Sequence, residues 1–227
     1  MRLPWAYRTV MTAGTPAVRW WGRLRVEGLE HVPAQGPVVL MANHDSAWDP
    51  VVVGIAAAGR RQVRALAKDT LWKNKAVAWV LDHMGQIPVS RGRGDAAALA
   101  TAVGVLEGGG CIGVFPEGTV SRGRTMKVFS GAGRLAQAVP GTPVVGVRIL
   151  GSTDVVRFPK RPRISVTFFP PVQPEPGESA LGLTRRVVAE VRSTAPPQLP
   201  GRAKAQAKFR QLVAEHDAKR AADPKAG

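Results

Sequence analysis

Residues 38–49 read Val38-Val39-Leu40-Met41-Ala42-Asn43-His44-Asp45-Ser46-Ala47-Trp48-Asp49. The uninterrupted apolar run 38–41 has the length and character of a strand buried on both faces, and a helix is predicted over 49–58. A buried strand that hands polar residues to a loop ahead of a helix is the repeating unit of α/β sheets. Loops at the carboxyl edge of such a sheet are where these folds place their sites. Outward from this unit the alternation continues. Further strands are predicted at 24–26, 63–67, 86–90, 111–115, 144–150 and 164–169, and further helices at 71–84, 95–107, 132–139 and 178–192. Gly108, Gly109 and Gly110 end the third helix, as glycine does past a helix C-terminus. The expected fold is α/β, a mixed and mostly parallel sheet of about seven strands flanked by helices.

The chain has 227 residues, 44% hydrophobic and 21% charged, which excludes wholesale disorder and suffices for one well-filled domain. Three regions are expected: residues 1–22 as amphipathic helices at a membrane interface, 23–194 as the main domain, and 195–227 as a proline-rich linker with a basic tail. The first region mixes Arg2, Arg8 and Arg19 with Trp5, Tyr7, Trp20 and Trp21, a chemistry suited to lipid headgroups. Gly14 and Pro16 are expected to split it into two short helices. In the tail, Ala205, Phe209, Leu212 and Val213 fall on one helical stripe among basic residues. That pattern reads equally as a helix on a membrane or as a solvated tail.

Thirty-two basic against 16 acidic residues give a net charge of +16, which favours phosphate-bearing or otherwise anionic partners. No stretch approaches the roughly 20 apolar residues of a membrane-spanning helix, and Arg8 and Arg19 interrupt any signal-peptide core. The expected location is therefore peripheral or monotopic, on the cytoplasmic face of the cell membrane. One cysteine, Cys111, and four histidines leave no thiolate cluster and no His-rich metal site, so neither metal nor cofactor is expected. The sequence around Cys111 reads as a core strand.

His44 and Asp49 are five residues apart, about 140° out of phase on a regular helix. They meet only if His44 sits on the loop and the chain bends back. The carboxylate then takes a hydrogen bond from one ring nitrogen, leaving the other to remove a proton from a hydroxyl. No Gly-x-Ser-x-Gly nucleophile is present, so a base acting directly on an alcohol is the simpler scheme. A second segment, Val114-Phe115-Pro116-Glu117-Gly118-Thr119 with Ser121 and Arg122 behind it, runs a strand straight into a carboxylate and a glycine. Nearby amides, such as those around Gly118, are candidate donors to an oxyanion. A third, Gly85-Gln86-Ile87-Pro88-Val89-Ser90-Arg91, delivers Arg91 to the same edge, where Lys68 also arrives. Guanidinium and ammonium together suit a phosphate.

In order and wording these blocks resemble the 1-acyl-sn-glycerol-3-phosphate acyltransferase family of glycerolipid acyltransferases, from about residue 23 to 170. Asn43, His44 and Asp49 match its Asn-His-x4-Asp block, and Gly85 to Arg91 match Gly-x-Ile-x-Val-x-Arg. Phe115 to Thr119 match Phe-Pro-Glu-Gly-Thr. The fourth block departs, with Gly146 in a region where the family has Val-Pro-Val wording. The resemblance implies that His44 is the general base and Asp49 its orienting partner. Arg91 and Glu117 would bind the acceptor, with Gly118, Thr119, Lys68 and Arg122 beside them. It implies transfer of a fatty acyl group from acyl-CoA or acyl carrier protein to lysophosphatidic acid, forming phosphatidic acid. The alternative is another lysophospholipid or glycolipid acceptor.

Two other readings are weaker. Gly92-Arg93-Gly94-Asp95-Ala96-Ala97 fits a loose dinucleotide fingerprint, but it follows the fourth strand and leaves His44 and Asp49 idle. A nucleic-acid-binding protein would use the charge, yet the basic residues are scattered and no aromatic reading surface accompanies them, so no nucleic acid is expected.

Overall fold

The computed structural model describes residues 4–90, 95–155, 159 and 161–222. Strand β2 (Val38–Ala42) is buried along its whole length and lies at the centre of a seven-stranded sheet. With β1 (Arg25–Glu27), β3 (Arg64–Lys68), β4 (Ile87–Val89), β5 (Cys111–Val114), β6 (Val144–Leu150) and β7 (Ser165–Phe168), the order is β1-β7-β6-β2-β5-β3-β4. Only the β6–β7 pairing is antiparallel. The five strands β6, β2, β5, β3 and β4 therefore present their carboxyl ends along one edge. This is the mixed, mostly parallel α/β sheet expected from the sequence.

Alternation along β2 sorts its side chains between two cores. Val38, Leu40 and Ala42 join a cluster with Tyr7, Val52 and Ile55, under helices α1 (Trp5–Thr15) and α2 (Asp49–Ala57). Val39 and Met41 join the opposite cluster, which draws on α4 (Ala96–Glu107), α5 (Gly131–Ala138) and α6 (Ala180–Thr194) through Ala102, Leu106, Leu135, Leu183 and Val187.

Three expectations change. Helix α1 runs into Pro16–Trp21 without the expected break at Gly14 and Pro16. Proline has no N–H for an α-helical bond, and the winding loosens to a π-helical segment there instead of stopping. Its buried face carries Ala6, Tyr7, Met11 and Val18, so one face of the segment belongs to the core, while Trp5 and Trp20 stay 60% and 70% exposed. The Tyr7 hydroxyl accepts from Val63 N and donates to the Gly54 carbonyl, and burial pushes its pKa up to about 12. The helix expected over 71–84 is a 3₁₀ turn (Asp69–Lys73) followed by α3 (Lys75–His83). Asn74 caps α3 by accepting from Ala76 N and Val77 N, which holds its own backbone extended and separates the two. The tail forms α7 (Ala203–Ala222), with Phe209, Leu212 and Val213 half-buried and the Leu212 carbonyl accepting from Arg122. Before it, Ala195 is buried and the Gln198 side chain accepts from Gly151 N, so the proline-rich stretch is fastened to the domain.

Helix α6 approaches the sheet closely because two neighbours lack side chains. A methyl on Gly133 of α5 would collide with the Ala180 carbonyl oxygen, and one on Gly146 of β6 would press on Val191 at 3.1 Å. Gly133→Ala should lower stability by about 1–3 kcal/mol. Gly131→Ala, where a methyl meets nothing within 4 Å, should leave it unchanged or slightly raised. Urea denaturation midpoints of the two variants compare them directly.

Candidate active site

The loop between β2 and α2 is shaped by a single carboxylate. Asp49, the first residue of α2, is fully buried, and its Oδ2 accepts from Asp45 N at 2.7 Å, Ser46 N at 2.8 Å and His44 Nδ1 at 3.0 Å. The two backbone bonds bend the chain back over the helix start, and that bend brings residues five apart together. With Nδ1–H directed at a carboxylate, Nε2 keeps its lone pair. The imidazole stacks on Phe115, ring centroids 4.3 Å apart and planes inclined by 29°, and 7% of His44 remains exposed. The base is thus fixed in direction as well as in tautomer. Asp49 Oδ1 is buried and has no partner among the described residues.

The adjoining loop after β5 is set beside it by strand register, Met41 opposite Val114. Glu117 is 3% exposed and turned inward. Its Oε2 accepts from His44 N at 3.1 Å, and both oxygens are bonded by Arg192 of α6, from Nε at 2.6 Å and Nη2 at 2.7 Å. Burial raises the Glu117 pKa, against the lowering effect of Arg192 and the His44 amide. The same guanidinium bonds Asp45, Nη1 to Oδ2 at 2.9 Å and Nη2 to Oδ1 at 3.0 Å. Asp45 also accepts from Ser121 Oγ at 2.5 Å and Asn43 Nδ2 at 3.0 Å. Ser121 N donates to the His44 carbonyl at 2.7 Å. Asn43 bridges to β6 in the manner of a strand residue, donating to the Ile149 carbonyl and accepting from Ile149 N.

His44, Asp49 and Glu117 are therefore brought together. Gly118 adjoins them with φ +68°, but its amide donates to the Phe115 carbonyl at 2.9 Å and is used up in the turn. Thr119 follows, half-buried. Lys68 ends β3 on the same sheet edge. Arg122 bonds the Leu212 carbonyl of α7. Arg91 and the glycines at 92 and 94 lie outside the described residues. Cys111 is buried in β5, and desolvation pushes its thiol up to about 12, which removes it as a nucleophile at neutral pH. Sequence reasoning missed Arg192, the role of Asp45 and the Phe115 stacking, and it named Ser121 within its segment without assigning it a role. A signal for Arg192 existed: with Thr184 and Val188 it continues an i, i+4, i+8 stripe on the buried side of α6.

Residues 23–150, more than half of the chain, match the family described as Acyltransferase. The chain belongs to this acyltransferase family. It is 34% identical over 134 residues to a 1-acyl-sn-glycerol-3-phosphate acyltransferase of Borreliella burgdorferi, covering 58% of this chain and 53% of that protein. A chloroplastic 1-acyl-sn-glycerol-3-phosphate acyltransferase of Arabidopsis thaliana is 25% identical over 137 residues, 59% of this chain and 38% of that one. The chain thus spans about half, or less, of the length of these relatives. The crystal structure of the 1-acyl-sn-glycerophosphate (LPA) acyltransferase PlsC from Thermotoga maritima superposes with a TM-score of 0.65 at 25% identity, over 82% of this chain and 77% of that one. All three motif blocks lie inside the matched segment, and Arg192 lies beyond it.

Removal of the Asp49 carboxylate leaves two backbone N–H groups without an acceptor. Asp49→Ala should cost about 2–4 kcal/mol in urea denaturation, clearly more than His44→Ala, which strips only the ring.

Proposed function

We propose that the protein transfers a fatty acyl group from a thioester of coenzyme A or acyl carrier protein to the free hydroxyl of lysophosphatidic acid, forming phosphatidic acid in phospholipid biosynthesis. The observation that carries this reading is the His44–Asp49 pair at 3.0 Å, with the ring held against Phe115 at the carboxyl edge of a parallel sheet. The relatives' names supply the acceptor. His44 Nε2 removes the hydroxyl proton while Asp49 supports the imidazolium, and the alkoxide attacks the thioester carbonyl. The tetrahedral intermediate collapses with loss of the thiolate, which takes the proton back from His44. Arg91 and Lys68 bind the acceptor phosphate, with Thr119 beside them.

A single-chain lysophospholipid partitions into bilayers, so the site must work at a membrane, here its cytoplasmic face. No described helix is long and apolar enough to cross one. The docking surface proposed is the exposed face of α1 and its neighbours. Trp5 lies 5.6 Å from Trp79 and 5.9 Å from His83, ring centre to ring centre, and Leu71 and Val77 are also exposed, close in sequence to Lys73 and Lys75. Trp20 lies under the Arg161 guanidinium at 5.1 Å. Aromatic rings beside cations suit anionic headgroups.

Four outcomes test the reading. With purified protein, labelled acyl thioester and a panel of lysophospholipids and glycolipids, lysophosphatidic acid should be the preferred acceptor. His44→Ala should lose roughly two to four orders of magnitude in turnover while remaining folded, and near-normal turnover would falsify the mechanism. Arg91→Ala should raise the acceptor KM well beyond the donor KM, as loss of uniform acceptor binding does. The double variant Trp5→Ala, Trp79→Ala should keep its Tm but sediment poorly with anionic liposomes. Unchanged sedimentation would place docking elsewhere.

A further inference from the structure

Arg192 has five N–H donors, and all five are engaged: Nε and Nη2 on Glu117, Nη1 and Nη2 on Asp45, and Nη1 also on the Ala195 carbonyl at 3.0 Å. The two carboxylates come from different loops, and each is tied to the His44 loop: Glu117 by a bond to its backbone, Asp45 by belonging to it. Glu117 accepts the His44 amide, while the Asp45 amide bonds the Asp49 oxygen that orients the imidazole. Arg192 is itself fixed, because α6 is seated against α5 at Gly133 and against β6 at Gly146. The guanidinium has no donor left for a substrate. Its reach to the reaction is through the loops alone.

We infer that Arg192 is a positioning residue for acyl transfer, a pin on the late helix α6 that holds the His44 loop and the Glu117 loop in one register and so keeps the imidazole aligned with Asp49. This rests on the acyltransferase reading above. It also gives Glu117 a share in the alignment, since its carboxylate is occupied by the pin and the His44 amide. A lysine cannot replace the fork, because its donors radiate from one atom. The charged groups bonded to His44 are Asp49 from α2, on its ring, and Glu117 from the loop after β5, on its amide, with Arg192 joining Glu117 to Asp45.

The test separates alignment from mere charge compensation. In Arg192→Lys and Arg192→Met, kcat should fall about 10- to 100-fold with the acceptor KM changed less than about twofold, as loss of orientation predicts. Lysine should recover only part of the loss. The downfield Nδ1–H proton resonance of His44, identified by its absence in His44→Ala, should weaken in parallel. The triple variant Arg192→Met, Asp45→Asn, Glu117→Gln leaves no buried charge unpaired, so it should regain thermal stability without regaining turnover or the resonance. If the triple variant regains turnover, or if lysine and methionine change Tm alone, Arg192 only compensates charge and the inference is overturned. Wild type without acyl transfer would instead defeat the functional reading. The resonance would then still decide whether Arg192 aligns His44.

Discussion

One buried oxygen, Asp49 Oδ2, carries the local architecture on which the rest depends. A fully desolvated carboxylate needs strong hydrogen bonds, and here three N–H groups from three consecutive residues converge on this one oxygen, while Oδ1 has no partner among the described residues. The position at the first residue of α2 adds the favourable field of a helix N-terminus. Because two of the three donors are backbone amides, the carboxylate folds the loop as well as orienting the ring. The bend, the tautomer and the stacking on Phe115 are consequences of one constraint.

Around that loop the protein keeps a group of buried charges: Asp45 and Glu117 against one guanidinium. Such groups are poor sources of stability, since desolvation cancels much of the attraction. Their value lies in direction. Apolar side chains would fill the same space but would tolerate sliding, whereas a planar fork bonded to two carboxylates admits one arrangement. Burial still disfavours the charge on Glu117, whose pKa stays raised despite Arg192. The interaction is thus held together by geometry against an opposing solvation effect.

Much of this was legible in the chain. The apolar runs gave the sheet because strands buried on both faces need no alternation to be recognised, and the His44–Asp49 pair could be anticipated from the loop that a strand-to-helix junction requires. The matched block at 115–119 located Glu117, but not the inward turn of its carboxylate. That depends on Arg192, which stands 147 residues from Asp45 and on a helix that periodicity describes only as amphipathic. Local rules carry no information about which loop a distant side chain will meet. The Asn74 cap was a different kind of miss: Leu71 and Trp72 extended the apolar pattern past a residue whose own chemistry ends it. At the N-terminus, aromatic and basic composition pointed outward for Trp5 and Trp20, while Tyr7, three residues into α1, went to the core because its hydroxyl found partners at Gly54 and Val63.

The wide separation of the charged partners also bears on how the chain is made. Strand β1 is synthesised early, yet its sheet partner β7 arrives 140 residues later, Arg25 opposite Ser165. Asp45 waits longer still for Arg192, 147 residues, and Glu117 waits 75. At a ribosomal rate of about 5–20 residues per second, the interval between Asp45 and Arg192 lasts roughly 7–30 s. Through it the nascent sheet carries an unpaired edge, and Asp45, joined in the second half by Glu117, lies without its cation. Water must therefore stay in the forming site until α6 emerges. Closing the domain and drying its centre become a single late event in the life of each molecule.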